Sequence, residues 1–510
     1  MSAGMPIILN KPLSWKNANA DALALLQSLQ GNILKGHGRH FTANLFFRLK
    51  PGNERASRRM LRDLANFHVT NAYRQLLDAE HYKRSGKKRK GGKGAGPFVH
   101  VALSAAGYVA IGRADAAPKD PEFSRGMRDP RSVADLADPQ VTDWEPHFRK
   151  EIHGIVIAAH ETAAETGALA AVIRELIEDA KGTTFVQHGA ALFNAAGEGI
   201  EHFGYVDGRS LPLLLEEDIT EELNATGTNR WDPAAGLDIA LVEDPGVPVA
   251  DGKTPTAYGS YLIFRKLEQH VRAFKTREQE IATILGLTGD ERERAGAMIV
   301  GRFEDGTPVT LSDKARKLKP PNNFDYAGDE GIRCPLHAHI RKTNPRGSGG
   351  FEEPDKERLH LMPRRGIPYE DKRREVPPAE LPDAGSMKEF RDKVADKLPK
   401  DGVGLLFMAY NSEIGQQFKF TQMNWANARL FPKNPADPLG GPRIPAGIDP
   451  VIGQDGGTAA QHKALLDQGL PKKWDEPAEG IENKVGFAGF VHMKGGEYFF
   501  APSLTFLLNL

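Results

Sequence analysis

The chain is short of cysteine, of long apolar runs and of any excess of one charge, and each shortage closes a class of function. Its one cysteine, Cys334, excludes an intramolecular disulfide framework and any four-cysteine metal site. Lys plus Arg and Asp plus Glu both number 67, so the formal net charge is zero. No global field then draws the chain to nucleic acid or to a membrane surface. No stretch approaches the roughly 18–20 consecutive apolar residues needed to cross a bilayer. The N-terminus, MSAGMPIILNKPLSWKNANAD, has no basic segment followed by an apolar core and no twin arginine. A cytoplasmic protein without a membrane partner is the expectation.

What is present is length and pattern. At 510 residues the chain is long for one ordinary domain, and a hydrophobic fraction of 40% is enough for a sizeable core. Strands are expected at 42–49 (TANLFFRL), 153–160 (HGIVIAAH) and 184–190 (TFVQHGA), and again at 258–267 (YGSYLIFRKL), 402–411 (GVGLLFMAYN) and 496–503 (GEYFFAPS). Leu169, Val172, Ile173, Leu176, Ile177 and Ala180 follow helical spacing, and 52–78 and 268–286 also read as helical. NLFFRLK near the start and YLIFRKL near 261 are faintly alike, a first hint of two duplicated halves. Residues 341–382 and 432–482, rich in charge, Pro and Gly, read as long loops. The basic stretch KRSGKKRKGGK at 83–93 reads as a solvated surface loop rather than a nucleic-acid contact.

Three stretches carry candidate chemistry. In CPLHAHIRKTNPR, residues 334–346, Cys334, His337 and His339 offer three zinc ligands with an open fourth position, the basis of a zinc-dependent hydrolase. Equally, one histidine does chemistry or none does, and Cys334 is a small buried apolar residue; a single histidine is enough for haem, whose iron takes one proximal imidazole. The following Arg341, Lys342 and Arg346 then suit haem propionates, since guanidinium grips carboxylate in a fork. In HFGYVDGRS, Asp207 and Gly208 form either a common Asp-Gly turn or a close approach to a planar ligand. In MPRRGIPYE, Arg364 and Arg365 form either a surface pair or fixed positive charge aimed into a pocket.

Taken in order, GYVDG, CPLHAHIRKTNPR and RRGIPY resemble the dye-decolorizing peroxidases. GNILKGHGR at 31–39, GLLFMAYN at 404–411, FKFTQMNWAN at 418–427, DPVIGQ at 449–454 and GGEYFFAPS at 495–503 extend the resemblance over roughly residues 28–505. It is nearest to the longer fungal-like and large bacterial members. The resemblance implies an α+β fold of two ferredoxin-like domains, with antiparallel sheets flanked by helices. An N-terminal extension at 1–27 would precede a first domain at 28–245, carrying the Asp207 motif, and a haem-binding domain at 246–510.

It further implies haem b with His339 as proximal iron ligand, supported by the Asp449 carboxylate, and with His337 as a neighbour that binds no metal. Asp207 becomes the distal acid-base and Arg364 the electrostatic stabiliser, with Arg365 the alternative if the register slips by one. Leu405 and Phe407 form an apolar distal wall, and Trp425 and Tyr410 are candidate electron relays. The implied reaction reduces hydrogen peroxide, by way of a ferryl intermediate, and oxidises dyes, phenolics or similar small aromatic reductants. An unperturbed aspartate has a pKa near 3.9 against about 6.5 for histidine, so an aspartate base predicts activity at mildly acidic pH. A homo-oligomer is compatible with the family. The alternatives are the zinc hydrolase and a non-catalytic haem-binding cargo protein.

Overall fold

The computed structural model describes residues 8–84, 96–249, 257–316, 321–382, 384–437, 439–454, 469–476 and 486–510. Most of the basic stretch 83–93 and much of 455–485 lie outside the described residues. The strands are β1 (Phe41–Arg48), β2 (Phe98–Leu103), β3 (Gly154–His160), β4 (Thr183–Ala190), the short β5 (Leu192–Phe193), β6 (Gly199–Ile200) and β7 (Val242–Glu243), then β8 (Tyr258–Gln269), β9 (Ile367–Glu370), β10 (Val403–Asn411) and β11 (Val491–Ala501).

Eight of these strands form one antiparallel sheet in the order β4-β1-β3-β2-β11-β8-β10-β9, with β7 added beside β8. Counted along the chain, each half follows the same order: fourth, first, third, second. This is the split βαβ arrangement of a ferredoxin-like unit, made twice and joined where β11 pairs with β2. NLFFRLK and YLIFRKL fall on β1 and β8, the first strand of each half, so their faint likeness marks equivalent positions. The sheet curls until its ends meet. A Cβ on Gly189 of β4 would stand 2.7 Å from a methyl of Ile367 on β9, so glycine permits the closure. Inside the barrel, Phe46 of β1 meets Phe264 of β8 edge to face, with ring centroids 4.8 Å apart.

β1, β2 and β3 bury nearly every residue because one face looks into the barrel and the other is covered by helices or loops. The helix Ala163–Asp179 starts where the Thr162 side chain accepts from the Glu165 N–H. It buries Ala170, Ile173 and Ile177, the stripe expected from its spacing. The expected helix at 52–78 is instead two helices, Glu54–Phe67 and Ala72–Arg84. Thr70 in the break accepts the Gly31 N–H and donates to the Val99 carbonyl, so backbone bonds to other segments interrupt the helix. The expected loop 341–382 holds β9, whose Pro368 pairs with Leu405 near the end of the sheet, where a missing N–H is tolerated. No described helix is long and apolar enough to cross a membrane.

Candidate active site

A cavity of about 230 Å³ lies on the outer face of the second half of the sheet. Alternation along the strands selects its wall: Arg265, Leu267 and Gln269 of β8 and Leu405 and Phe407 of β10 face it. Leu406 falls between Leu405 and Phe407 and faces the core, as do Phe264 and Met408 next to the wall residues.

His339 opens the one-turn helix His339–Thr343 and lines the cavity. Its Nδ1 lies 2.8 Å from Oδ2 of Asp449, a fully buried residue. The other carboxylate oxygen, Oδ1, accepts the N–H groups of Val451 at 2.8 Å and Ile452 at 3.0 Å. With the carboxylate as acceptor, the proton of the imidazole sits on Nδ1 and the lone pair on Nε2.

Asp207 and Arg364 also line the cavity, with Arg364 Nη2 4.0 Å from Asp207 Oδ1. Asp207 Oδ1 accepts the Gly208 N–H at 2.6 Å, and Gly208 takes φ +76, which a residue without Cβ adopts readily. Segment 363–365 runs beside β10: Tyr410 N–H donates to the Pro363 carbonyl and Arg365 N–H to the Met408 carbonyl. Adjacent side chains therefore diverge. Arg364 turns to Asp207, whereas Arg365 donates to the Asn32 carbonyl at 2.8 Å and the Ile33 carbonyl at 2.9 Å. Burial pushes the Arg365 guanidinium down to about 10. A second cavity, about 290 Å³, adjoins the first and shares Asp207, Gly208, Arg364 and Gly366 with it.

Several expected site residues lie elsewhere. Arg341, expected against haem propionates, is buried away from both cavities. It donates to the Cys334 carbonyl at 2.7 Å and pairs with Asp329 at 3.2 Å, because the segment before His339 needs its turn held. Lys342 is likewise buried, donating to the carbonyls of Ala428, Phe431 and Gly447. Arg346 stands one layer behind the wall, donating to Oγ of Ser210, a lining residue, at 3.0 Å.

Cys334, His337 and His339 do not converge as a zinc site would require. Cys334 packs among Phe303, Tyr326 and Ala338, and burial raises its thiol to about 12. His337 is fully enclosed, off both cavities, and burial lowers it to about 3. Trp425 and Tyr410, considered as surface relays, are buried at 2% and 0% exposure. The Tyr410 hydroxyl bonds His100 Nε2 at 3.0 Å within the core. Trp425 stacks on Phe431 and meets the cavity-lining His360 edge-on, with centroids 5.2 and 5.1 Å away.

The lining residues that the motifs do not single out include Val451, Ile452, Arg302 and Glu201. Val451 and Ile452 are the apolar positions of DPVIGQ. Arg302 and Glu201 had no flanking signal. Arg302 is buried and donates to Ser210 Oγ at 2.9 Å. Burial raises Glu201 to about 7 while its carboxylate accepts the N–H groups of Phe203 and Tyr205.

Comparison with known proteins gives this geometry its relatives. A family model described as the DyP dimeric alpha+beta barrel domain matches residues 28–190. Multifunctional dye peroxidase DyP2 of Amycolatopsis sp. is 44% identical over 511 residues, covering 99% of this chain and 100% of the relative. Dye-decolorizing peroxidase msp1 of Mycetinis scorodonius is 32% identical over 80% of this chain and 75% of its own length. Among solved structures, DyP2 from Amycolatopsis sp. superposes with a TM-score of 0.85 at 43% identity, over 99% of this chain and 100% of that one. The DyP-type peroxidase of Anabaena sp. superposes with a TM-score of 0.80 at 35% identity, over 98% and 96% of the two chains. Likeness of this extent runs end to end, and the chain belongs to the dye-decolorizing peroxidase family, as an oxidoreductase that uses peroxide.

Proposed function

We propose that the cavity binds haem b through His339 and that the protein reduces hydrogen peroxide at the expense of dyes, phenolics or similar small aromatic reductants. The observation that carries this reading is the pairing of two opposed units across one cavity: His339 with Asp449, and Asp207 with Arg364.

The residues present fit haem. The donor set offers one imidazole, and the flanking side chains Ile340, Leu405, Phe407, Val451 and Ile452 suit a flat apolar macrocycle. Two buried guanidinium groups, Arg302 on the wall and Arg346 behind Ser210, are bonded only to carbonyls and neutral side chains. Neither has a carboxylate partner within ion-pair distance among the described residues, and burial lowers them to about 10 and about 9. Buried positive charge without an anion is costly, and the propionates would supply one.

When bound, haem supplies an iron that accepts the two oxidising equivalents of peroxide. The rest is done by the chain's own residues. Asp449 holds His339 in the tautomer that presents a lone pair and makes the ring more electron-rich. Asp207 takes the proton from the inner peroxide oxygen and returns it to the outer one, so that water leaves. Arg364 holds fixed positive charge against the negative charge that builds on the peroxide oxygens. Leu405 and Phe407 keep bulky reductants away from that spot. Trp425, in ring contact with both His360 and Phe431, is the reading's relay for electrons from outside the cavity.

The test is an absorption spectrum of haem-loaded protein before and after peroxide, with turnover of a dye. A Soret band that shifts with peroxide, lost in His339→Ala and kept in His337→Ala, is the expected result. Loss of haem in His337→Ala alone would overturn the ligand assignment. Full haem occupancy without oxidation of any reductant would favour a haem carrier.

A further inference from the structure

The sheet carries a second group of ligand-capable side chains on the face away from the cavity. Leu267 and Gln269 line the cavity, so Glu268 between them points to the other side of β8. His492 of β11 is its cross-strand partner, and His270 follows the end of β8. Glu268, His270 and His492 each offer one ligand atom, and the three atoms lie within 4.8 Å of one another.

The details suit a metal better than they suit a hydrogen-bonded cluster. His270 Nε2 lies 3.5 Å from Glu268 Oε2, is shielded from solvent and makes no hydrogen bond among the described residues. The two imidazole rings stand 4.3 Å apart at 51°, a spacing that brings their nitrogens together without stacking. His492 Nε2 also meets the Gly489 carbonyl at 3.0 Å. Glu268 Oε1 is pinned by the Gly402 N–H at 3.1 Å. Its Oε2 faces the Lys494 ammonium at 3.3 Å, from the bulge between Met493 and Gly495.

We propose that Glu268, His270 and His492 form a binding site for a divalent transition cation of the zinc type. Two imidazoles and one carboxylate match the borderline ions; calcium and magnesium take all-oxygen sets. The cation displaces Lys494 from Glu268 and clamps β8, β11 and the start of the helix Val271–Ile284 together. It lies across the sheet from the redox cavity and takes no part in its chemistry.

The experiment uses the full-length, haem-loaded protein, stripped with chelator, dialysed and titrated with zinc by calorimetry. One equivalent is expected to bind. Affinity should fall at least about tenfold in His270→Ala, His492→Ala and Glu268→Gln, as loss of metal-site groups does. It should be unchanged in His81→Ala, a histidine exposed on another helix. Lys494→Ala should raise the affinity, because the competing cation is gone. That gain distinguishes a metal site from a structural cluster, and it stands as a test even where a histidine variant fails to fold. Zinc binding undiminished in Glu268→Gln and the histidine variants, no uptake by the wild type, or weaker binding in Lys494→Ala overturns the proposal.

Discussion

Asp449 and Asp207 are the same functional group on opposite sides of one cavity, and they are built in opposite ways. The Asp449 side chain is 0% exposed, and its two oxygens meet the His339 ring and the N–H groups of Val451 and Ile452. Its backbone is held as well, donating to the Ala426 carbonyl and accepting from Gly453. A Cβ on Gly453 would come within 2.4 Å of the Asp449 carbonyl oxygen, so the tight loop depends on glycine there. The Asp207 side chain is 42% exposed; it accepts one N–H, from Gly208, and stands 4.0 Å from a guanidinium. A carboxylate held by several donors has no freedom to move a proton and acts by orienting its neighbour. One with spare lone pairs at the mouth of a cavity can take a proton and give it back.

Substitutions on the loose side should break the comparison most visibly. Asp207→Asn keeps the shape and removes the base, so kcat/KM for peroxide should fall by about 10²–10⁴, the usual worth of general acid-base catalysis. Haem content and Tm should stay where they are. Stopped-flow mixing with peroxide reads the rate, and turnover at the wild-type rate would move the proton-carrying role off Asp207. Arg364→Leu should cost about 10²–10³ in the same measurement, as loss of one preorganised electrostatic group does. Arg365→Leu should instead lower Tm, because Arg365 ties the carbonyls of Asn32 and Ile33 to the strand edge.

On the locked side the effect should be smaller and of a different kind. Asp449→Asn retains an oxygen and adds an amide, which cannot satisfy the His339 N–H and the two backbone donors together. Haem affinity or activity should drop by about 10–100-fold, the range for groups that orient a metal ligand. Haem transfer to an acceptor protein measures the first, and the reduction potential of the bound iron should rise. If haem stayed bound as tightly and only the peroxide step slowed, Asp449 would be acting as Asp207 does, and the contrast would fail.

The locked side was the more legible in the sequence. His339 stands in a stretch with fixed neighbours, and Asp449 opens DPVIGQ, so motif order alone pointed to both. Asp207, Arg364, Leu405 and Phe407 were legible for the same reason, and alternation on β10 explains why the last two share a face. Arg341 and Lys342 misled because charge in a sequence does not say whether a side chain meets a ligand or the chain's own carbonyls. Arg341 and Lys342 bond carbonyls, while Arg302, 37 residues before His339 with no basic neighbour except Arg294 nearby, reaches the wall. Apart from the family resemblance, the duplicated fold was visible only as the likeness between β1 and β8. The rest depends on strand order, which pairs segments hundreds of residues apart: Phe500 of β11 lies opposite Leu103 of β2.

The smallest effect asks how firmly the barrel core, in contrast to the half-exposed Asp207, holds a titratable group. His100 sits in that core, fully buried, with Nδ1 at the Gly31 carbonyl and Nε2 at the hydroxyl of Tyr410, on the strand that carries Leu405 and Phe407. Burial lowers it from 6.5 to about 3, so the folded protein keeps it neutral where the unfolded chain protonates it. Between those values the unfolded state binds more protons, and stability therefore rises with pH and is lost as pH falls from 6.5 toward 3. Each such group steepens the acid loss by about 1.4 kcal/mol per pH unit. His100→Gln removes the titration, so urea unfolding at a series of pH values should show a slope shallower by about that amount below pH 6.5. The slope is the readout, because the variant also changes stability at neutral pH. An unchanged slope would mean that His100 takes up its proton while folded, and that the core around it is no more closed to protons than the Asp207 side of the cavity.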